Sequence, residues 1–222
     1  MTTWSRNPVP TEAPNEASPD MPTWRAVSEL ADLVEIFDPD VQVCVWQRAV
    51  DASIAAYLSG LERAGTLQAI ETLSAEDPPR LARLPAGPDS VPGLAALIDD
   101  LAFLREITCE LLGCPAVGLR FARVDHAMCP GWHIDRVGLR LICTYEGPGT
   151  QWLADQGLDR SKPGLTRMAD GVHIRAGAGD VVLLKGALWQ GNERFGAVHR
   201  SPEIPPDAGA RTLVTLDPLW QA

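Results

Sequence analysis

Apolar residues change their spacing near residue 116, from a helical repeat before it to an alternating one after it. Behind Ser28 as a cap, Leu30, Leu33, Val34 and Phe37 fall on one face and predict a short helix over Ser28–Phe37. Val41–Trp46 (VQVCVW) is a compact β-rich run. Asp51 then caps an amphipathic helix in which Ile54, Tyr57, Leu58 and Leu61 recur at helical spacing. Leu67–Leu73 reads as a further strand, followed by the Pro-rich connection DPPRLARLPAGPDSVP. The strongest helix signal covers Pro92–Leu112, where Leu94, Leu97, Ile98, Leu101, Leu104, Ile107, Leu111 and Leu112 form a stripe. Pro92 suits its first turn and Gly113 its stop. Beyond it, Val117–Val124, Val137–Tyr145, Gln151–Leu153, His173–Arg175, Asp180–Leu184, Ala197–Arg200 and Thr212–Leu216 read as strands between Gly, Pro and Asp punctuation. Helices first and short strands afterwards predict an α+β protein. Its N-terminal helices should pack on a C-terminal antiparallel barrel or jelly roll.

Composition adds boundaries and exclusions. Residues 1–22 hold Pro8, Pro10, Pro14, Pro19 and Pro22 with few large apolar residues, which predicts a disordered tail. Residues 23–222 are then expected to form a single domain, with a helical scaffold over 23–115 and a β-barrel over 116–218. A chain of 222 residues with 45% hydrophobic content can bury a sizeable core. The net charge of −10 argues against a nucleic-acid backbone or an anionic membrane as partner and leaves a small molecule or a metal. No signal-peptide pattern or long apolar run is visible. Cys44, Cys109, Cys114, Cys129 and Cys143 are odd in number and form no CxxC pair, so reduced thiols in the cytoplasm are expected.

The chemistry concentrates around Trp132-His133-Ile134-Asp135 and Val198-His199-Arg200. Residues two apart on a strand point to one face, so His133 and Asp135 can aim an imidazole and a carboxylate at a common point. A second histidine, His199, from a strand folded back beside them would complete the facial triad of non-haem iron(II) sites. The alternative for Asp135 is a pair with Arg136 or Arg140 at a surface turn.

On these residues, the segment from Ala116 to Pro218 resembles the double-stranded β-helix of the iron(II)/2-oxoglutarate-dependent dioxygenases. Gly179-Asp180 followed by Val181–Leu184 resembles the strand that precedes the distal histidine in that family. The resemblance implies His133, Asp135 and His199 as ligands of Fe(II). It also implies a basic residue downstream of His199 that pairs with the far carboxylate of 2-oxoglutarate, a role that Arg211 fits. Arg200 and Lys185 compete for it, although Arg200, next to His199, should face the other way. The stretches CVWQR, AMCPGWHIDRVGLRLICTYEGPGTQWL, GDVVLLKG and VHRSP also resemble, over residues 40–218, a bacterial family known only as a domain of unknown function.

Cys129, just before His133, opens a second reading. As a further ligand beside His133, Asp135 and His199 it would close the site and favour zinc, giving a non-catalytic, cupin-like metal-binding protein. Its plainer role is a buried apolar cysteine in a Pro-Gly turn. His126 is either a loop histidine or a support to the ligands, and His173 reads as structural. Trp132, Tyr145, Trp152 and Trp189 could line a substrate pocket or simply pack. Gln190, Asn192 and Glu193 stand between a turn and the barrel mouth. GxSxG, HExxH, P-loop and dinucleotide patterns are absent from the sequence. The sequence thus leads to an iron(II)/2-oxoglutarate oxygenase acting on a small molecule or side chain, with the zinc protein as alternative.

Overall fold

Local spacing of apolar residues decides most elements of the computed structural model, which describes residues 23–61, 67–79, 93–154, 173–192, 195–205 and 209–220. The expected disordered tail, Pro92, Glu193 and most of the Pro-rich connection lie outside these residues. In chain order the elements are β1 (Thr23–Val27), a 3₁₀ helix (Leu30–Phe37), β2 (Val41–Trp46), α1 (Ala52–Gly60), β3 (Leu67–Ser74) and α2 (Leu94–Leu112). There follow β4 (Ala116–Val124), β5 (Leu139–Glu146), β6 (Gln151–Leu153), β7 (His173–Arg175), β8 (Val181–Lys185), β9 (His199–Arg200) and β10 (Arg211–Leu219).

The first helix differs from its sequence expectation. It starts after Glu29, with no side-chain cap, rather than from Ser28, and it winds as a 3₁₀ helix. Three residues per turn put Leu33 and Ile36 on the buried face, while Leu30, Val34 and Phe37 stay exposed. The next helix follows its pattern closely. The Asp51 carboxylate accepts the Ser53 N–H at 2.8 Å, and Ile54, Tyr57 and Leu58 are buried. α2 buries Leu97, Leu101 and Leu104 completely and stops at Gly113, whose φ of 63° a side chain would resist.

The strands form two sheets. The larger has seven strands in the order β1-β2-β8-β5-β10-β4-β3, and the smaller has three, β7-β6-β9. The strands of the second half pair with one another antiparallel throughout, as expected, and two features add to the expected helical first half. β1, for which the sequence offered no separate signal, pairs with β2 in parallel. The first half of the chain also supplies β1, β2 and β3 to the large sheet, placing them at its two edges.

Alternation along the strands divides the large sheet into two faces. Val117, Leu119 and Phe121 of β4, Leu141 and Cys143 of β5, and Val214 and Leu216 of β10 join Leu97, Leu101, Leu104, Ile54 and Leu58 in one apolar cluster. Ala122, Ile142, Val182 and Leu213 point the other way and meet Trp152 and Ile174 of the small sheet. The small sheet therefore covers part of this second face. Among the described residues no helix is long and apolar enough to cross a membrane.

Candidate metal centre

Opposite this second face, on β9 of the small sheet and the segment before β5, lies a polar cluster. His133 and His199 form an isolated antiparallel bridge, with N–H to carbonyl distances of 3.0 and 2.9 Å in the two directions. Directly opposed residues of such a pair project to the same side. The two rings accordingly lie 4.5 Å apart between centroids. Asp135, two residues beyond His133, joins them: Oδ1 is 3.5 Å from His133 Nε2 and Oδ2 is 3.3 Å from His199 Nε2. One ligand atom from each of the three lies within 4.8 Å of the others.

Hydrogen bonding sets the ring nitrogens. Nδ1 of His133 lies 2.9 Å from the Gly131 carbonyl, and Nδ1 of His199 lies 3.0 Å from that of Ala197. A carbonyl only accepts, so each Nδ1 carries its proton and each neutral ring turns an Nε2 lone pair towards Asp135. Two lone pairs and a carboxylate facing one another repel unless a cation stands between them. A proton on an imidazole does this in part, and a divalent metal does it fully. The donor set of two imidazoles and one carboxylate thus fits a non-haem iron(II) ion.

Asp135 is held from behind as well. Arg140 Nη1 donates to its Oδ2 at 2.5 Å, while Arg140 Nε and Nη2 clasp the Asp217 carboxylate at 2.6 and 2.7 Å. Burial acts to raise the Asp135 carboxyl. The two histidines and the Arg140 charge outweigh it and hold the group well below the usual carboxylate range. The hydrogen bond to Asp135 lifts His133 above its ordinary value against burial and the Arg140 charge. The Arg140 pair considered for Asp135 therefore forms, but in a partly buried cavity wall rather than a surface turn.

The triad opens on a cavity of about 230 Å³ whose lining includes Arg211. Arg211 is 1% exposed. Its Nε donates to the Pro148 carbonyl at 2.9 Å and its Nη2 to Thr150 Oγ1 at 3.0 Å, with Ser201 Oγ 3.5 Å from Nη1. No carboxylate pairs with it among the described residues, and burial alone brings its pKa down to about 10. A buried guanidinium with neutral partners is a site for an anion.

Other candidates separate from the cluster. Cys129 lines the cavity but is exposed, and its thiol stands outside the triad. Its backbone carbonyl instead accepts the Ser201 N–H at 2.8 Å. Arg200, as the alternation predicts, turns from His199 to donate to Gln151 Oε1 at 2.7 Å and to stack over Trp132. Lys185 is buried on the helix side, donating to the Asp38 carbonyl at 2.7 Å. His126 pairs with Asp125 at an exposed position, and His173 is exposed beside Trp132. Asn192 is buried and donates to the Gly186 carbonyl at 3.1 Å, as a turn residue does.

The aromatic-pocket expectation is corrected. Trp132, Tyr145, Trp152 and Trp189 are not among the residues lining the cavity, whose apolar wall is Met128, Ile142, Leu213 and Ile70. Tyr145 lies on the helix-facing side of β5, and Trp152 packs edge-on against Trp24 within the sandwich. Sequence reasoning offered the Asp135–Arg140 pair only as an alternative to metal binding and missed that it supports the ligand, with Asp217 behind it. The signal is the alignment of β5 beside β10, which no local motif records.

Comparison with known proteins agrees with this geometry. Residues 28–217 match the family described as "Protein of unknown function (DUF1826)", and the chain belongs to that family. No curated protein matches the chain. Among solved structures, the rice dioxygenase for auxin oxidation is 16% identical, with a TM-score of 0.51 over 90% of this chain and 83% of its own. A full-length Neurospora crassa protein, solved in complex with alpha-KG and thymine, is 10% identical, with a TM-score of 0.51 over 91% of this chain and 87% of its own. The fold is shared with these two proteins.

Proposed function

We propose that this member of the DUF1826 family is an iron(II)- and 2-oxoglutarate-dependent oxygenase acting on a small molecule or a side chain, on a double-stranded β-helix scaffold. The observation that carries the reading is the buried, carboxylate-free Arg211 in the same cavity as His133, Asp135 and His199. A triad alone suits several metals, and a buried guanidinium alone suits any anion. Together they suit a chelating dicarboxylate that reaches both. The structural neighbours add weight, since the Neurospora crassa protein was solved with alpha-KG, which is 2-oxoglutarate.

His133 and His199 would hold iron(II) through Nε2 and Asp135 through one carboxylate oxygen. Iron(II) so held supplies open coordination positions and the redox chemistry by which dioxygen and 2-oxoglutarate oxidise a C–H bond. The protein's own part is orientation. The Gly131 and Ala197 carbonyls fix the imidazole tautomers. Arg140 occupies Asp135 Oδ2, leaving Oδ1 as the freer oxygen. Arg211 receives the far carboxylate, with Thr150 and Ser201 beside it. Cys129 stands outside the triad, so no observation favours the closed zinc site.

Anaerobic titration of the iron(II)-loaded protein with 2-oxoglutarate tests the reading. The expected result is the visible charge-transfer band of the ternary complex, with 2-oxoglutarate affinity falling at least about tenfold in Arg211→Gln. No band, or an affinity indifferent to Arg211, overturns it.

A further inference from the structure

Strand register places a row of side chains on the cavity face of the large sheet: Ile70 of β3 opposite Arg120 of β4, Arg120 opposite Thr215 of β10, and Thr215 opposite Ile142 of β5. All four line the cavity that holds the triad. Ala122, two residues beyond Arg120 on the same face, is fully buried against the small sheet. Arg120 is exposed. The small sheet thus covers Ile142 at one end of the row and stops short of Arg120 and Ile70 at the other, which stay open to solvent.

Two features of the row are out of keeping with an ordinary strand surface. Ile70 is 68% exposed, more than any other large hydrophobic described, yet it sits on a cavity wall. Arg120 is the cavity arginine with no described partner. Arg140 is clasped by Asp135 and Asp217, Arg200 bonds Gln151, and Arg211 bonds Pro148 and Thr150. Gly118, also in the lining, keeps bare backbone next to Arg120 on that face, and an added Cβ there would meet nothing closer than 3.9 Å. The row therefore has room, an apolar wall and a cation with no partner among the described residues.

Charge points the same way. The chain carries −10 overall, yet the lining holds Arg120, Arg140, Arg200 and Arg211 against Asp135 and Asp217. With Arg140 neutralised by its carboxylates, Arg200 held by Gln151 and the Trp132 ring, and Arg211 assigned to 2-oxoglutarate, Arg120 remains to meet substrate.

We propose that the substrate is an organic carboxylate whose carboxylate pairs with Arg120, beside Ile70 at the open edge of the row, and whose apolar body crosses Thr215 to Ile142 towards the triad. Ile142 and Arg120 are separated by two strand spacings, on the order of 10 Å. A carboxylate on an apolar body of about four to eight carbons fits that span once the arginine has reached inward. The inference rests on the oxygenase reading for which end of the substrate reacts, but binding at Arg120 does not require metal.

The test is ligand-observed NMR on the full-length, metal-free protein. The probes are straight-chain and aryl-substituted carboxylates of about four to eight carbons, each with its matching primary amide. The expected result is that carboxylates bind and amides do not. Arg120→Gln should weaken binding at least about tenfold while Arg120→Lys retains most of it, and saturating 2-oxoglutarate should leave the probes bound. Amides binding as well as acids, indifference to Arg120→Gln, displacement by 2-oxoglutarate, or no probe binding each overturns the proposal. Binding of 2-oxoglutarate itself is scored separately through Arg211→Gln. A probe site lost in Arg120→Gln beside absent 2-oxoglutarate binding to the iron(II)-loaded protein sustains this proposal and overturns the oxygenase reading.

Discussion

At the scale of single residues, Arg140 couples the charge states of the candidate metal ligands. His133 is lifted by its bond to Asp135, and Arg140 opposes that lift through its positive charge. Replacing Arg140 with Gln removes the opposing charge, so the His133 midpoint moves upward, an outcome read by NMR titration of the metal-free protein. The stability sign follows from linkage. A histidine with a raised folded pKa contributes stability that is complete below its unfolded value, near about 6.5. That stability is lost as pH rises through the folded value. Metal binding runs the opposite way, because the imidazole must shed its proton to coordinate. Metal affinity should therefore fall on acidification through the same midpoint, and in Arg140→Gln the fall should begin at higher pH. An unmoved midpoint would show that Arg140 does not act on His133 electrostatically. The triad itself was legible from the i, i+2 rule and a later histidine. The Arg140–Asp217 pair was not, because it depends on the alignment of β5 with β10 rather than on any local pattern.

At the scale of elements, alternation exposed nearly every strand, and the misses have physical causes. The 3₁₀ helix buries Leu33 and Ile36 because its period is three, not 3.6. β1 escaped because TWRAV is short and takes its stability from parallel pairing with β2, a partner no local pattern reveals. The end of β8 shows how an element positions the site. Gly186 N–H donates to the Gly138 carbonyl at 2.9 Å, and the next two N–H groups bond the carbonyls of Asp135 and Val137 at 2.9 and 3.0 Å. A Cβ on Gly186 would fall 2.2 Å from the Val137 oxygen and 2.7 Å from that of Asp135, so only glycine allows this approach. Gly186→Ala is expected to push the Asp135 segment outwards. It should cost about 1–3 kcal/mol in urea unfolding and weaken metal affinity at least about tenfold by calorimetry. Native metal affinity in the folded variant would show that Asp135 is positioned without this contact.

At the scale of the whole molecule, a buried polar knot ties the first half of the chain to the second. Arg48, after β2, donates from Nη1 and Nη2 to the two Asp100 oxygens at 2.5 and 2.8 Å and from Nε to the Gly179 carbonyl at 3.1 Å. Asp100 stands on α2 and also accepts the Tyr145 hydroxyl of β5 at 2.5 Å. The knot therefore fastens the end of β2, α2, β5 and the turn before β8 together, on the helix side of the large sheet, whose other face lines the cavity with the triad. Burial acts to lower the Arg48 pKa, but the bonds to Asp100 outweigh it and leave it raised. Burial pushes the Tyr145 hydroxyl well above its usual range. Such a knot stabilises chiefly through what its disruption leaves behind. Arg48→Met strands the Asp100 carboxylate out of water, and removing one member of a buried pair costs about 3–5 kcal/mol. Replacing all three polar members with apolar residues (Arg48→Met, Asp100→Leu, Tyr145→Phe) leaves no stranded charge, so most of that loss should return. Urea unfolding of the single and triple variants decides it: equal losses would mean that the hydrogen bonds themselves, rather than avoidance of a bare carboxylate, hold the halves together.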